Sequence, residues 1–196
     1  MTNMHSHDVY QMVAKLHCEH INQGFLATLG PSFLTLLYEA IDKDQSSVLI
    51  VKEIDGKVVG FVSGAVSLRL IYSRLLHRPF SLFLALATCF FSISKLLKII
   101  EILFLGKNNP ILEKLPRHEL LTIVVDPLEQ GRGHAEDLFQ SLCSYFKATN
   151  VTDFKIIVGS DLARAHSFYL KMGCVVAGKI QVHEGKDSLV YVKQCN

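Results

Sequence analysis

The segment from Gln130 to Ala135 carries the residue types that most directly predict chemistry in this chain of 196 residues. It reads Gln-Gly-Arg-Gly-His-Ala and lies between an apolar run, 120–125, and a segment with helical apolar spacing. Glycine lets backbone N–H groups turn toward a bound group, and a helix start adds unpaired donors and a partial positive charge. Arg132 adds a permanent cation. The pattern therefore predicts a phosphate or pyrophosphate site.

Two other phosphate-binding patterns do not fit this segment. No Gly-Lys-Ser/Thr follows Gly133, which excludes a Walker loop. A third glycine is missing and no strand with an acidic end lies about 20 residues on, which disfavours a dinucleotide fingerprint. Because a Gly-x-Gly pair is also common in ordinary turns, the prediction depends on the elements around it.

Composition excludes several classes of function. The net charge is +2 with basic and acidic residues scattered, so we expect no nucleic-acid partner. The five cysteines are odd in number, widely spread and lack a Cys-x-x-Cys, which predicts a reducing, cytoplasmic setting and neither a disulfide framework nor a metal site. The polar start, Met1 to Asp8, does not resemble a signal peptide.

Apolar periodicity predicts the elements that must position the loop, in one domain built on a mixed α/β sheet. Asp55-Gly56 between two β-rich runs is a strong hairpin signal. The predicted helices are Asp8–Asn22, Phe33–Ile41, Gly133–Ala148 and one that follows a cap at Ser160 or Asp161 and has an apolar face at Leu162, Ala165, Phe168, Tyr169 and Met172. The predicted strands are 47–54, 57–66, 119–125, 154–158, 174–182 and 188–195.

The second half of the chain resembles the GNAT superfamily of N-acetyltransferases, and the likeness extends over roughly residues 8–192. Val125-Asp-Pro followed by Gln130 to Ala135 is similar to the family's pyrophosphate signature, Gln/Arg-x-x-Gly-x-Gly/Ala. The resemblance implies an α/β (α+β) fold with a mixed, mostly antiparallel central sheet flanked by helices. It also implies one acetyltransferase domain, 1–196, with a helical apolar insert, 67–112, between the third and fourth strands when the family's first strand, before Asp8, is counted.

Residues 158–174 resemble the next motif of the family, in which a strand splays from its neighbour and a helix brings a tyrosine to the thioester. The matching positions are Ala165, Phe168, Tyr169 and Gly173. The sequence departs from the family where Leu162, beside Asp161, replaces an asparagine, and where Cys174 replaces a phenylalanine. The family's first strand is not evident before Asp8, so we expect it either to be short or to be formed by Met1 to His7.

The resemblance implies acetyl-CoA as the donor. The N–H groups of Arg132 to Ala135, with His134 between them, would hold the pyrophosphate. The pantetheine would pair with free backbone groups near Val124 and Val125, and the Val125 N–H would donate to the developing oxyanion. The other implied cofactor-binding residues are Gln130, Gly131, Gly133, Asp161, Ala165 and Phe168.

Catalytic roles fall on Tyr169 and Glu119. Tyr169 matches the family's acid, which would protonate a thiolate of solution pKa about 8.5, although a core aromatic is the alternative. Glu119, at the start of a strand and in line with Leu121, Ile123 and Val125 by period two, would accept the amine's proton. His118 is the rival base, and both side chains could instead be solvated strand-end residues.

The apolar insert leaves three interpretations open. Residues 79–94 carry no formal charge, yet sixteen residues fall short of the about 20 that a transmembrane helix needs. A helical cap over the acceptor site or a homodimer interface is the first interpretation. Membrane-surface contact, from the basic flanks, is the second, and a true span is the third.

The sequence thus predicts a GNAT-type N-acetyltransferase that acts on the primary amine of a small molecule. The first half, with Leu16-His17, Leu29-Gly30 and Leu37-Tyr38, also looks like members of surface-polysaccharide pathways, which hints at an acceptor that is an amino sugar or a nucleotide-linked amino sugar. The alternatives are a non-catalytic acyl-CoA-binding module and an acyltransferase with a longer acyl donor, either of them membrane-associated through the insert.

Overall fold

The computed structural model describes residues 6–21, 26–66, 71, 75, 115–183 and 186–195. Most of the predicted insert, 67–112, lies outside these residues, except for Ile71 and Leu75, which are helical and buried. The expected first strand within Met1 to His7 is also largely outside them, and its last residue, His7, begins a helix instead.

Four helices and six strands lie within the described ranges, in the predicted order. The helices are α1 (His7–His20), α2 (Gly30–Lys43), α3 (His134–Ala148) and α4 (Ala163–Lys171). The strands are β1 (Ser47–Ile54), β2 (Lys57–Ala65), β3 (Glu119–Val125), β4 (Asp153–Gly159), β5 (Val175–His183) and β6 (Lys186–Gln194).

The six strands form one sheet in the order β1-β2-β3-β4-β6-β5. Four neighbouring pairs are antiparallel, and β3–β4 alone is parallel because the helix α3 connects the two strands as a crossover. The hairpin β1–β2 turns at Asp55 and Gly56, whose φ values of +50° and +74° belong to the left-handed region that such turns require. The mixed, mostly antiparallel sheet and the Asp-Gly hairpin are both confirmed.

Each face of the sheet is covered by one pair of helices. Phe61 on β2 packs with α1 and α2, whereas its neighbour Val62 packs with α3, because successive side chains of a strand point to opposite faces. Gly64 lets α3 approach closely, since a Cβ there would lie only 2.8 Å from Phe146 Cζ. The two faces are therefore distinct, and we call them the α1/α2 face and the α3/α4 face.

One detail of the helices was not predicted, and one differs from the predictions. In α1, His17 is buried and its Nδ1 lies 2.6 Å from the Tyr38 hydroxyl, whereas His20 is exposed. The N-cap of α4 is Leu162, without a side-chain capping bond, rather than Ser160 or Asp161. Leu162 is 39% exposed, so it does not extend the buried face of α4.

Candidate functional site

Strands β3 and β4 pair at only two positions and then separate. The ladder joins Glu119 with Lys155 and Leu120 with Ile156. Beyond Leu120 the facing edges of the two strands have no ladder partner in each other, although both continue for several residues. The separation leaves a cleft within the sheet, which we call the β3–β4 cleft.

A β-bulge in β3 lies where the separation begins. In the pairing with β2, Thr122 faces Ser63 and Leu120 faces Gly64, so Leu121 is an extra residue without a partner. A bulge bends its strand and increases the local twist. The bend at Leu121 accounts for the departure of β3 from β4 immediately after their two pairs.

The bulge also corrects one prediction about Glu119. Leu120, Ile123 and Val125 pack on the α3/α4 face, so the extra residue has shifted the alternation by one between Leu120 and Ile123. Glu119 faces away from Leu120, toward the α1/α2 face. Glu119 is therefore not in line with Ile123 and Val125, because the period of two is broken between them.

The backbone of Val125 faces the β3–β4 cleft. The next amide, Asp126 N–H, donates to Val59 O of β2 at 2.8 Å. Because backbone groups of an antiparallel strand alternate between its two edges, the N–H and C=O of Val125 point to the opposite edge. The Val125 carbonyl accepts from Gln130 Nε2 at 3.2 Å, which leaves its N–H directed into the cleft.

The predicted anion-binding loop follows directly. Gly131 and Gly133 have φ values of +78° and +84°, and a Cβ at either position would meet no atom within 4 Å. Glycine is therefore required there by backbone conformation, and the space above the loop is open. Gly133 is the N-cap of α3 and offers no side-chain capping bond, and further along the first turn the Glu136 carboxylate accepts from its own backbone N–H.

The loop is held in place from below by Asp126. Its carboxylate accepts from the backbone N–H of Leu128 and from Lys57 Nζ, each at 3.0 Å. The Leu128 hydrogen bond, followed by the Lys57 interaction, lowers the pKa of Asp126. A carboxylate that is charged and bonded in this way fixes the turn from β3 into the loop.

Two arginines and one glutamate flank the loop. Arg132 Nη1 pairs with Glu129 Oε2 at 2.6 Å, and the arginine side chain is 62% exposed. Arg164, from the first turn of α4, donates from Nη1 to Gln130 Oε1 at 3.1 Å. His134 begins α3 with its Nε2 3.7 Å from Glu129 Oε2, and neither buried nitrogen of its ring has a hydrogen-bond partner among the described residues. Backbone amides and the cations Arg132 and Arg164 are thus available at the loop for an anionic ligand. Glu129 is the one anion among the contacts named here.

Tyr169 lies on the α3/α4 face. Only 5% of the residue is exposed, and its ring contacts those of Phe139, Phe168 and Tyr191. Burial, and then the thiol of Cys174, raise the pKa of Tyr169 well above its ordinary value. The phenol is therefore protonated at neutral pH, as a proton donor must be.

Glu119 and its rival His118 lie on different faces. The His118 ring packs against Phe146 of α3, with centroids 5.5 Å apart, and burial followed by Lys155 lowers its pKa. The Glu119 side chain is 25% exposed, and Oε2 lies 3.7 Å from Lys155 Nζ. Burial raises the pKa of Glu119, while Lys155 opposes that rise. A carboxyl with a raised pKa suits proton acceptance near neutral pH better than an ordinary surface glutamate.

The remaining predicted residues have simpler surroundings. Ala135, Ala165 and Phe168 pack against the core of the α3/α4 face, and Val124 packs on the other face with α1 and α2. Asp161 is exposed in the turn before α4. Lys155, Glu129 and Arg164 were not singled out from the sequence. Only Lys155 gives a signal there, as a charge inside the apolar strand 154–158.

Neither a metal site nor a membrane span occurs in the part of the chain that the structure describes. There, no three His, Cys, Asp or Glu side chains are grouped so as to hold a metal ion. The described helices also include none that combines the length and the apolar character needed to cross a bilayer.

Comparison with solved structures finds the same fold over nearly the whole chain. The N-acetyltransferase from Staphylococcus aureus Mu50 is 14% identical, with 100% of this chain and 98% of that chain covered and a TM-score of 0.63. yncA from Salmonella typhimurium, determined with its cofactor acetyl-CoA, is 13% identical, with 99% and 92% covered and a TM-score of 0.61. The paia N-acetyltransferase from Thermoplasma acidophilum, in complex with coenzyme A, is 11% identical, with 98% and 96% covered and a TM-score of 0.58.

Sequence comparison identifies the family. No curated protein matches the chain. The sequence profile of the acetyltransferase (GNAT) family matches residues 16–174, which include the β3–β4 cleft, the glycine loop and α4. The match covers most of the chain, and this protein therefore belongs to the GNAT family of acetyl-CoA-dependent acetyltransferases.

Proposed function

We propose that this protein transfers the acetyl group of acetyl-CoA to the primary amine of a small molecule. The observation that carries the proposal is the β3–β4 cleft, into which the Val125 N–H points and which leads directly to the open glycine loop. A cleft between parallel strands accommodates an extended chain, and the loop at its end accommodates an anion.

The described residues fit acetyl-CoA along the whole cleft. The pyrophosphate would lie on the N–H groups of Arg132 to Ala135, with the Arg132 side chain available as a further cation once it leaves Glu129. The pantetheine would follow β3, where the amides of Ile123 and Val125 face the cleft. The thioester carbonyl would then accept a hydrogen bond from the backbone of β3.

The two proposed catalytic side chains lie on opposite faces of the sheet, Glu119 toward the α1/α2 face and Tyr169 in the core of the α3/α4 face. The neutral amine attacks the thioester carbon from the α1/α2 face, and its proton passes to Glu119, directly or through water. The C–N bond forms, the C–S bond breaks, and the thiolate takes a proton from Tyr169. Tyr169 is reprotonated from solvent as Glu119 releases the amine's proton to solvent, so both side chains return to their starting states. This arrangement supports direct attack in a ternary complex, because acid and base do not compete for one position.

The acceptor class rests on the family resemblance of the first half of the chain. We infer an amino sugar, with a nucleotide-linked sugar as the larger variant, and a cytoplasmic setting for the reaction. A longer acyl donor would need room at the narrow end of the cleft, where Leu120 and Ile156 are still paired. That pairing favours the short acetyl group over longer acyl groups.

The beginning of the insert supports a role at the acceptor side. Ile71 and Leu75 are buried in the same core as α1 and α2, which lies on the face of Glu119. We infer that the insert caps the acceptor region or forms a homodimer contact there, rather than a membrane-surface contact. Gel filtration and liposome sedimentation test this inference, and co-sedimentation with anionic vesicles would overturn it.

The test of function is an acceptor panel of amino sugars, nucleotide-linked amino sugars, polyamines and peptides with acetyl-CoA. Thiol release and the mass of the product are measured together, so that hydrolysis is separated from transfer. We expect acetylated amino sugars. Turnover only on peptides or polyamines would overturn the acceptor class, and CoA binding without turnover on any amine would favour a binding module.

A further inference from the structure

Lys155 lies at the last part of the sheet where β3 and β4 are still paired. Its ammonium group contacts three oxygens: Pro116 O at 2.8 Å, Arg117 O at 3.2 Å and Glu119 Oε2 at 3.7 Å. The two carbonyls accept hydrogen bonds from the ammonium group, and the carboxylate of Glu119 lies within ion-pair distance of it. The side chain is only 12% exposed, so these contacts are made away from bulk water.

The position of Lys155 in β4 determines the face of the sheet to which its side chain points. Its neighbours Phe154 and Ile156 pack in the core of the α3/α4 face. Lys155 therefore points to the α1/α2 face, where Glu119 also points. The two residues are direct partners in the parallel ladder, so the backbone itself sets their side chains next to each other.

We propose that Lys155 is a positioning residue for Glu119: its ammonium group holds the carboxylate at the narrow end of the β3–β4 cleft, where the carboxylate can accept the proton of the acceptor amine. The proposal rests on the proposed function, in which Glu119 is the base. Lys155 itself touches neither substrate in this arrangement.

The physical reason is a balance of two influences on one carboxyl group. Burial favours the neutral form of Glu119 and raises its pKa, and the nearby ammonium of Lys155 opposes that effect. Two other ionisable groups lie at this junction. Lys155 also lowers the pKa of His118, and Asp153 acts on His118 in the opposite direction. With the charge of Lys155 removed, burial acts on Glu119 unopposed, and a protonated carboxyl cannot serve as a base.

Lys155 also holds the chain just before β3 through its hydrogen bonds to two carbonyls. A test must therefore distinguish the effect of its charge on Glu119 from the effect of losing these hydrogen bonds. Lys155→Gln keeps a hydrogen-bond donor for the carbonyls of Pro116 and Arg117 but removes the charge. Lys155→Arg keeps the charge. Lys171→Gln is the matched control, because that exposed lysine of α4 pairs with Glu136 at 3.0 Å, outside the cleft.

The experiment measures the pH dependence of kcat/KM between about pH 5 and pH 9. It uses the acceptor that the amine panel identifies, and CoA affinity is measured for each variant. In Lys155→Gln we expect the acidic limb of the profile to move to higher pH by about one unit or more, which lowers kcat/KM roughly tenfold at pH values below the limb and leaves CoA affinity unchanged. In Lys155→Arg the acidic limb should lie close to its wild-type pH, because the positive charge is kept. Lys171→Gln should not move it.

A Lys155→Gln profile that coincides with that of the wild type would overturn the inference. If Lys155→Gln does not fold, isotope-edited infrared titration of the Glu119 carboxylate in wild type and Lys155→Arg replaces it. A carboxyl that is neutral at pH about 7 in wild type would contradict the proposal. The proposed function fails differently, because it fails when the wild type itself acetylates no amine.

Discussion

Gln130 Nε2 donates to the carbonyl oxygen of Val125 at 3.2 Å, and Gln130 Oε1 in turn accepts from Arg164 Nη1 at 3.1 Å. One side chain thus connects the end of β3, the glycine loop and the first turn of α4. The connection spans the open end of the β3–β4 cleft. It holds the carbonyl of Val125, the residue whose N–H faces the cleft.

Replacing Gln130 with Ala should weaken this connection without removing any proposed catalytic group. A net loss of about 1 kcal/mol is typical for such a hydrogen bond, which predicts roughly fivefold weaker CoA binding. Calorimetric titration with CoA measures the change. Gln140→Ala, on the exposed side of α3, is the control, and equal affinities of the two variants would contradict the role given to Gln130.

Gly133→Asp should abolish measurable CoA binding. The φ of +84° strains any side chain there, and a carboxylate would repel the pyrophosphate at the helix start. Gly56→Asp is the matched control, because Gly56 has a similar φ of +74° and equally open space but lies in the β1–β2 turn. We expect similar losses of stability in both variants, and retention of CoA binding only in Gly56→Asp.

Tyr169→Phe should lower kcat by about 10² or more while leaving CoA affinity unchanged, because the variant removes the proton donor and keeps the ring. The control is Tyr145→Phe, which removes a half-buried hydroxyl from a different helix, α3, and should have little effect on kcat. The raised pKa of Tyr169 further predicts no loss of rate from its ionisation below about pH 10. An unchanged kcat in Tyr169→Phe would show that the tyrosine is a core aromatic only.

His17 should make the fold sensitive to acid. Burial lowers its pKa from 6.5 to about 4, so the unfolded chain binds the proton more readily than the folded chain. Its contribution to stability is therefore complete above about pH 6.5 and is lost as the pH falls toward 4. Between pH 8 and pH 5 we expect a loss of roughly 2 kcal/mol.

Urea unfolding at the two pH values measures this loss in the wild type and in His17→Gln. The variant should show a smaller difference between the two pH values, since its side chain does not titrate. His20→Gln is the control, because His20 is exposed at the end of the same helix. A pH dependence that persists unchanged in His17→Gln would assign the acid sensitivity to other groups.

Local signals in the sequence predicted the glycine loop, the Asp-Gly hairpin and the order of the elements, because each depends on residues close together in the chain. The burial of Tyr10 and His17 was not predictable in this way. Their partners, Asp42 and Tyr38, lie 32 and 21 positions away. Likewise, the pairing of Lys155 with Glu119 depends on the parallel register of two strands that the whole helix α3 separates.

The bulge at Leu121 had no sequence signal at all, since a leucine in an apolar strand is ordinary. Its effect comes from the number of residues in β3 compared with β2, which becomes visible only once the strands are paired. For the same reason, the period-two alignment of Glu119 with Val125 was wrong. The face to which Glu119 belongs could be known only from the structure.

Because of that extra residue, the proposed binding of a cofactor depends on the number of residues in β3 and not only on their identity. Removing Leu121 would let β3 continue in register with β4, and the ladder would close over the space that the pantetheine requires. Exchanging Leu121 for another apolar residue would leave the opening intact. Evolution or design can therefore exchange this residue freely among apolar types. A deletion of one residue there would close the β3–β4 cleft that we propose as the cofactor site.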